Sequence, residues 1–149
     1  MIIKKTTANE VSKLFSIDKN QQHYLQGHFE YLEINEIWKE QLIVAVTDQK
    51  TVAGILGYQK SPREEEPHDF WLNYVSVSPN FRGHGIAKSL LEAMFHDIKK
   101  NDPEAILKLS YTETGQVLQD TILSLACHYS VTLWHKKLNE FDYKKISSQ

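Results

Sequence analysis

Cysteine, proline and glycine are all scarce in this sequence: one, four and six residues respectively among 149. The single thiol, Cys127, cannot close an internal disulfide, and without a second cysteine it offers no zinc-ligand spacing. A reducing, cytoplasmic setting is the expectation. No apolar stretch approaches the roughly 20 residues that a membrane-spanning helix requires. At the start, "MIIKKTTANEV" places two lysines and then polar residues where a signal peptide needs an unbroken apolar region. Charge of one sign is lacking too: 17 basic against 19 acidic residues leave a net charge of −2, which argues against nucleic acid or an anionic membrane as partner. The seven histidines are scattered without metal-ligand spacing, so no metal is expected. No linker, repeat or low-complexity tract divides the chain. Its length is enough to bury a core without disulfides or a structural metal.

What the chain does carry is a succession of well-punctuated elements. Met1 to Lys5 reads as a strand, and Thr7 with Glu10 stands at capping-box spacing ahead of a helix from Ala8. Between Asn20 and Lys39, Tyr24, Leu25, Phe29, Leu32, Ile37 and Trp38 recur at helical spacing, as one helix or two divided at Gly27 or Asn35. "QLIVAVT" and "TVAGILGYQ" around "DQK" predict a hairpin. The following "KSPREEEPHD" reads as a solvated loop whose glutamates could attract a cationic acceptor. A third strand is predicted over Phe70 to Ser78. After Gly83 the period changes, and Ile86, Leu90, Leu91, Met94, Phe95 and Ile98 fall on one helical face. "ILKLS" reads as a strand and "TETGQVLQDTILSLACHY" as a helix whose inner face is Leu118, Ile122, Leu125 and Tyr129, with Cys127 expected as a small buried hydrophobe. For Ser130 to Lys137 two readings stand open: an alternating strand paired with "FDYKKI", or a helix continued to about Leu138. The fold class is mixed α/β.

The chemistry lies in "VSVSPNFRGHGIAKSLLEAMF", Val75 to Phe95. A strand that runs through glycines into a helix leaves first-turn N–H groups without carbonyl partners, where the peptide dipoles concentrate about half a positive charge. A phosphate satisfies both deficits. Gly83 and Gly85 allow close backbone approach, Arg82 can chelate phosphate oxygens or clamp the loop, and His84 points to solvent. A Walker loop is excluded because no Gly-Lys-Ser/Thr follows, and a dinucleotide fingerprint because Lys88 stands where glycine is needed. The bland alternative is a tight turn that binds nothing.

The segment "YVSVSPNFRGHGIAKSLL" resembles the coenzyme-binding motif of the GCN5-related N-acetyltransferases, Gln/Arg-x-x-Gly-x-Gly/Ala after a strand ending in Val-x-Pro, with Arg82, Gly85 and Ala87 at its defined positions. The resemblance implies one N-acetyltransferase-like domain over residues 1–149, with a mixed, mostly antiparallel sheet flanked by helices and a strand, glycine turn and helix that hold pyrophosphate. It implies acetyl-CoA as co-substrate and a small-molecule or peptide amine as acceptor. Gly83, His84, Gly85, Ile86, Ala87 and Lys88 would supply amides to the pyrophosphate, with Arg82 bordering them, while Val75 and Val77 would pair with the pantetheine arm. Direct attack by the amine follows. Asp69 aligns with the glutamate base of one branch and Asn73 with that of another; on simple strand alternation Asp69 shares a face with Asn73, Val75 and Val77. Tyr129 is the positional match for the tyrosine acid of a Tyr-x-x-x-Gly-Phe pattern whose Gly-Phe is missing, and Trp134 is its rival. A non-catalytic acyl-CoA sensor of the same fold is the alternative function, and the terminal strands offer an edge for a homodimer.

Overall fold

A computed structural model describes residues 1–17, 40–111, 116–137 and 144–146. In chain order the elements are β1 (Ile2–Thr6), α1 (Ala8–Ile17), β2 (Gln41–Val46), β3 (Val52–Lys60), β4 (Asp69–Val77), a short 3₁₀ turn (Pro79–Phe81), α2 (Ile86–Asn101), β5 (Ile106–Tyr111), α3 (Gln116–Tyr129), β6 (Thr132–Lys137) and β7 (Lys144–Ile146). The helices expected between Asn20 and Lys39 and the start of the "TETG" helix lie outside the described residues. Thr7 opens α1 as its spacing predicts: the Glu10 amide donates to Thr7 Oγ1 at 3.3 Å. The Glu10 carboxylate turns instead to the Thr6 hydroxyl, 2.8 Å away.

The strands form one sheet in the order of the sequence, β1 to β7. Neighbours are antiparallel except β4 with β5 and β5 with β6, so the mostly antiparallel sheet expected from the sequence is present. The open choice at the C-terminal end resolves as a strand. Ser130 takes a left-handed φ of 57° and stops α3, and the Val131 amide turns back to the Ala126 carbonyl at 2.9 Å. From there β6 runs beside β5, with Thr132 opposite Ile106 and Lys137 opposite Tyr111, and β7 pairs on its far side.

Two cores cover the two faces of the sheet. On one, Ile86, Leu90, Leu91, Met94, Phe95 and Ile98 of α2 are all buried, the same six side chains that the helical period selects. They pack with Ile122, Leu125 and Ala126 of α3 against Ile43, Leu56, Phe70, Leu72, Leu107 and Leu133. Gly54 lets α2 lie close to the sheet: a Cβ there would stand 3.1 Å from both Ile86 and Leu90. On the opposite face Val11 of α1 meets Leu42, Val44, Val46, Val52 and Ile55, with Leu14 and Tyr74 at the margin. Cys127 corrects the sequence reading, because it is exposed. The turn of α3 that buries Leu125 and Ala126 carries the next residue round to solvent. Among the described residues no helix is long and apolar enough to cross a membrane.

The junction of β4 and β5 is fixed at its lower end by polar contacts. The Ile106 amide donates to the His68 carbonyl at 2.8 Å, and the His68 ring lies between Asp102 and Glu104, 2.8 and 3.0 Å away. The hydrogen bond to Asp102 holds the imidazole above its ordinary pKa. These contacts set where the parallel ladder begins.

Candidate functional site

The ladder between β4 and β5 is short. It runs from Asp69 opposite Ile106 to Leu72 opposite Leu109, whereas β4 stays paired with β3 as far as Val77. The Ser78 amide donates to the Ala53 carbonyl on β3 at 2.8 Å. Because successive peptide groups in a strand alternate in direction, the amides of Val77 and Val75 point the other way, toward β5 beyond the end of the ladder. The Val77 carbonyl on that side accepts from Arg82 Nε at 3.3 Å. Arg82 thus clamps the loop to the strand that precedes it.

Past the 3₁₀ turn, Gly83 and Gly85 adopt φ of 81° and 75°. Both values lie in the left-handed region that a side chain strains, and a Cβ at either glycine would meet nothing within 4 Å. Gly85 is the N-cap of α2 and has no side chain with which to cap it. A capping hydrogen bond contributes about 1 kcal/mol, whereas each fully buried apolar side chain of α2 contributes roughly 1.5–3 kcal/mol. Packing therefore fixes where α2 begins, without a side-chain cap from Gly85. His84 is exposed, as the sequence reading has it, and Lys88 is within 4.0 Å of Glu92 on the surface.

A bulge in β4 changes the expected facing of the strand. Gly57 pairs with Tyr74 and Tyr58 with Leu72, so Asn73 is an extra residue. Phe70 and Leu72 before it, and Val75 and Val77 after it, all pack toward the α2 core, while Tyr74 joins the α1 side. Strict alternation through Asn73 is therefore broken, and Asp69 faces away from Val75 and Val77, opposite to the parity argument. Asp69 is buried, and its Oδ2 lies 2.6 Å from Lys108 Nζ. That ammonium also stands 5.5 Å from the centroid of the Trp71 ring and 3.8 Å from Glu66. Glu66, read from the sequence as part of a solvated loop, is half-buried, bonded by the Ser61 hydroxyl at 2.9 Å and paired with Arg63. Asp69 accordingly holds a cation on the sheet.

Another carboxyl group stands at the bulge. Glu40, directly before β2, receives the Asn73 side-chain amide at 3.2 Å, and the same amide donates to Gln59 Oε1 at 3.2 Å. Its carboxylate fills the space over Gly57, where a Cβ would collide with Glu40 Oε1 and with the Tyr74 ring. Burial pushes the Glu40 carboxyl up to about 7, against the hydrogen bonds from Asn73 and Tyr74. Burial and the neighbouring Glu40 likewise hold the Tyr74 phenol above its ordinary range. Sequence reasoning missed Glu40. The available signal was Gly57 itself, since a glycine inside a strand often marks a close approach.

Tyr129 lies elsewhere. Its ring stacks on Phe95, with centroids 6.0 Å apart, and meets His128 edge-on. The left-handed position that ends α3 is Ser130, so a Tyr-x-x-x-Gly-Phe pattern in this register places its tyrosine at Ala126, which is fully buried. Trp134 stands on β6 opposite Lys108. Among the described residues no group of three or more His, Cys, Asp or Glu could hold a metal.

Strand β4, the turn with two left-handed glycines and helix α2 follow one another in the order read from the sequence. A family model for the acetyltransferase (GNAT) family matches residues 8–116. The chain belongs to the GNAT family. Solved structures of GNAT proteins share its fold. A ribosomal-protein-alanine N-acetyltransferase from Brucella melitensis biovar Abortus 2308 is 15% identical, with 80% of this chain and 85% of that one covered and a TM-score of 0.56. The aminoglycoside N-acetyltransferase AAC(6')-Iy, solved in complex with CoA, is 16% identical over 83% and 89% of the two chains, with a TM-score of 0.54. A GNAT-family acetyltransferase from Brucella melitensis, solved with acetyl-CoA, is 18% identical over 68% and 70%, with a TM-score of 0.52. A search of curated proteins finds no match. Membership of the GNAT family supports acetyl transfer as the general activity.

Proposed function

We propose that this GNAT protein transfers an acetyl group from acetyl-CoA to a primary amine of a small molecule or peptide, by direct attack of the amine on the thioester. The observation that carries the reading is the continuity of one open backbone edge: the outward amides of Val75 and Val77, the turn at Gly83 and Gly85, and the uncapped start of α2.

The residues present fit a CoA-type ligand. Amides from Gly83 to Lys88 would hold the pyrophosphate, with His84, Ile86 and Ala87 contributing backbone only, and the open space above both glycines admits phosphate oxygens. Arg82, anchored on Val77, would border that group. Val75 and Val77 would pair with the pantetheine arm where β5 has turned away, and the amide near Val75 would polarise the carbonyl. When bound, acetyl-CoA supplies the electrophilic carbon. The protein's contribution is to align it with the amine and to give the developing negative charge a fixed donor.

Calorimetry with CoA and acetyl-CoA, followed by transfer assays with spermidine, a lysine peptide and an aminoglycoside, tests this reading. Binding and transfer to one of them support it; absence of affinity for either coenzyme form in folded protein refutes it. A second reading, an acyl-CoA sensor without turnover, is favoured by Ala126 in the register of the acid and by Asn73 in place of a carboxylate. It predicts coenzyme binding with no transfer to any amine. A homodimer joined through a terminal strand is part of the proposal, and sedimentation tests it.

A further inference from the structure

We infer that Glu40 is the base that takes the proton from the acceptor amine, a role that rests on the acetyltransferase reading above. A bulge re-aims a strand at one point, and here the extra residue, Asn73, turns its side-chain amide to Glu40 Oε1 at 3.2 Å. Asn73 cannot accept a proton from an ammonium, but it brings to its own position the carboxylate of the residue that precedes β2. Asn73 is exposed and Glu40 only half-buried, so the carboxylate borders accessible surface. Val75, whose outward amide is proposed to meet the thioester carbonyl, is two residues further along the same strand.

The seat of Glu40 is built. Gly57 lacks the Cβ that would collide with the carboxylate, Tyr74 closes it on the β4 side, and Gln59 holds the other contact of the Asn73 amide. Asp69 does not compete, because its oxygen is bound to Lys108 at 2.6 Å. The groups shown to interact with Glu40 among the described residues are Asn73 and Tyr74, both from β4; Gln59 on β3 acts only through Asn73. Of these only Tyr74 titrates, and its raised pKa keeps it neutral through the physiological range. A carboxyl group with a pKa near 7 is matched to removing a proton from an ammonium and returning it to solvent.

The step balances. The ammonium gives one proton to the Glu40 carboxylate, and the freed nitrogen pair forms a bond to the carbonyl carbon. The carbon–sulfur bond then breaks with its electron pair on sulfur. The second nitrogen proton neutralises the thiolate, giving amide and free CoA thiol, while Glu40 returns its proton to water.

The test is the pH dependence of kcat/KM for wild type and Glu40→Gln, using whichever of spermidine, a lysine peptide or an aminoglycoside the wild type acetylates. Wild type should show an acid limb near pH 7, set by this carboxyl. Glu40→Gln should lose on the order of 100-fold at neutral pH, lose that limb, and recover toward wild type at high pH, where the amine reaches the site already neutral. Its affinity for acetyl-CoA should stay within about twofold of wild type. Retained turnover with the limb intact overturns the inference, yet leaves the acetyltransferase reading standing; loss of acetyl-CoA affinity in wild type refutes that reading first. Carbon NMR of the Glu40 carboxyl supplies a readout that needs no acceptor. Its titration should shift when acetyl-CoA saturates the protein, and an unmoved titration overturns the assignment.

Discussion

The Glu40 carboxylate occupies the volume that a β-carbon on Gly57 would take, so a residue before β2 and a glycine in the middle of β3 are complementary in shape. Glycine inside a strand costs roughly 0.5–1 kcal/mol relative to alanine. Here its absence of side chain makes room for a half-buried carboxyl group. Gly57→Ala should therefore displace Glu40 and the Tyr74 ring, lowering transfer about as much as Glu40→Gln while acetyl-CoA affinity holds. Equal turnover in Gly57→Ala and wild type, measured on folded protein, would show that the seat is irrelevant to the reaction.

Glu40 also makes a stability prediction whose sign follows from its raised pKa. The ordinary value is 4.5 and the folded value about 7, so folding favours the protonated form. The stabilisation is complete below pH 4.5 and is lost as pH rises through 7. Glutamine is never ionised and keeps an oxygen for Asn73. Glu40→Gln should thus be more stable than wild type at pH 8, by about 1–2 kcal/mol after discounting for partial solvent screening, and equal to it at about pH 4. Urea unfolding at the two pH values measures the difference. A more stable but slower variant is the mark of a group retained for function.

Substitution at Gly85 is expected to separate coenzyme binding from folding. Gly85→Glu places bulk and negative charge over the helix start and adds strain at a φ of 75°, roughly 1–2 kcal/mol. It should abolish detectable CoA binding in calorimetry while the far-ultraviolet circular dichroism stays that of a folded protein. Gly85→Asn tolerates the same φ without added charge and should keep much of the affinity.

Asp69 is predicted to matter chiefly for stability. Asp69→Asn leaves Lys108, with 17% of its side chain exposed, without its nearest anion. The loss should be about 2 kcal/mol, below the usual range for breaking a buried pair because Glu66 and the Trp71 ring remain close. Thermal unfolding measures it; a variant as stable as wild type but inactive would restore Asp69 to the reaction.

For Tyr129 the stack on Phe95 and the register of Ser130 argue for packing. Tyr129→Phe preserves the stacked ring and should leave turnover within about twofold of wild type. A loss of 100-fold or more would assign the acid to Tyr129 after all.

Much of this was legible in the residues. Six apolar positions from Ile86 to Ile98 selected the buried face of α2, and Thr7 with Glu10 marked the start of α1, because helical period and capping are local properties. The arginine and two glycines marked the turn for the same reason: left-handed backbone favours glycine wherever it occurs. Local pattern failed at Cys127, which shares a helix with buried residues yet faces solvent, and at Asp69, whose facing depends on a bulge four residues away. It also left the last strands undecided, since alternation over Thr132 to Lys137 becomes decisive only once β5 offers a partner.

By itself the sequence determined the elements from β2 to α3 and the glycine turn between β4 and α2, both written in short-range spacing and backbone preference. Only the tertiary structure decided which carboxyl group stands beside Asn73. Strand register brought Glu40, Gly57 and Asn73 together across two strand pairings, and relations between residues that far apart in the chain leave no trace in local pattern.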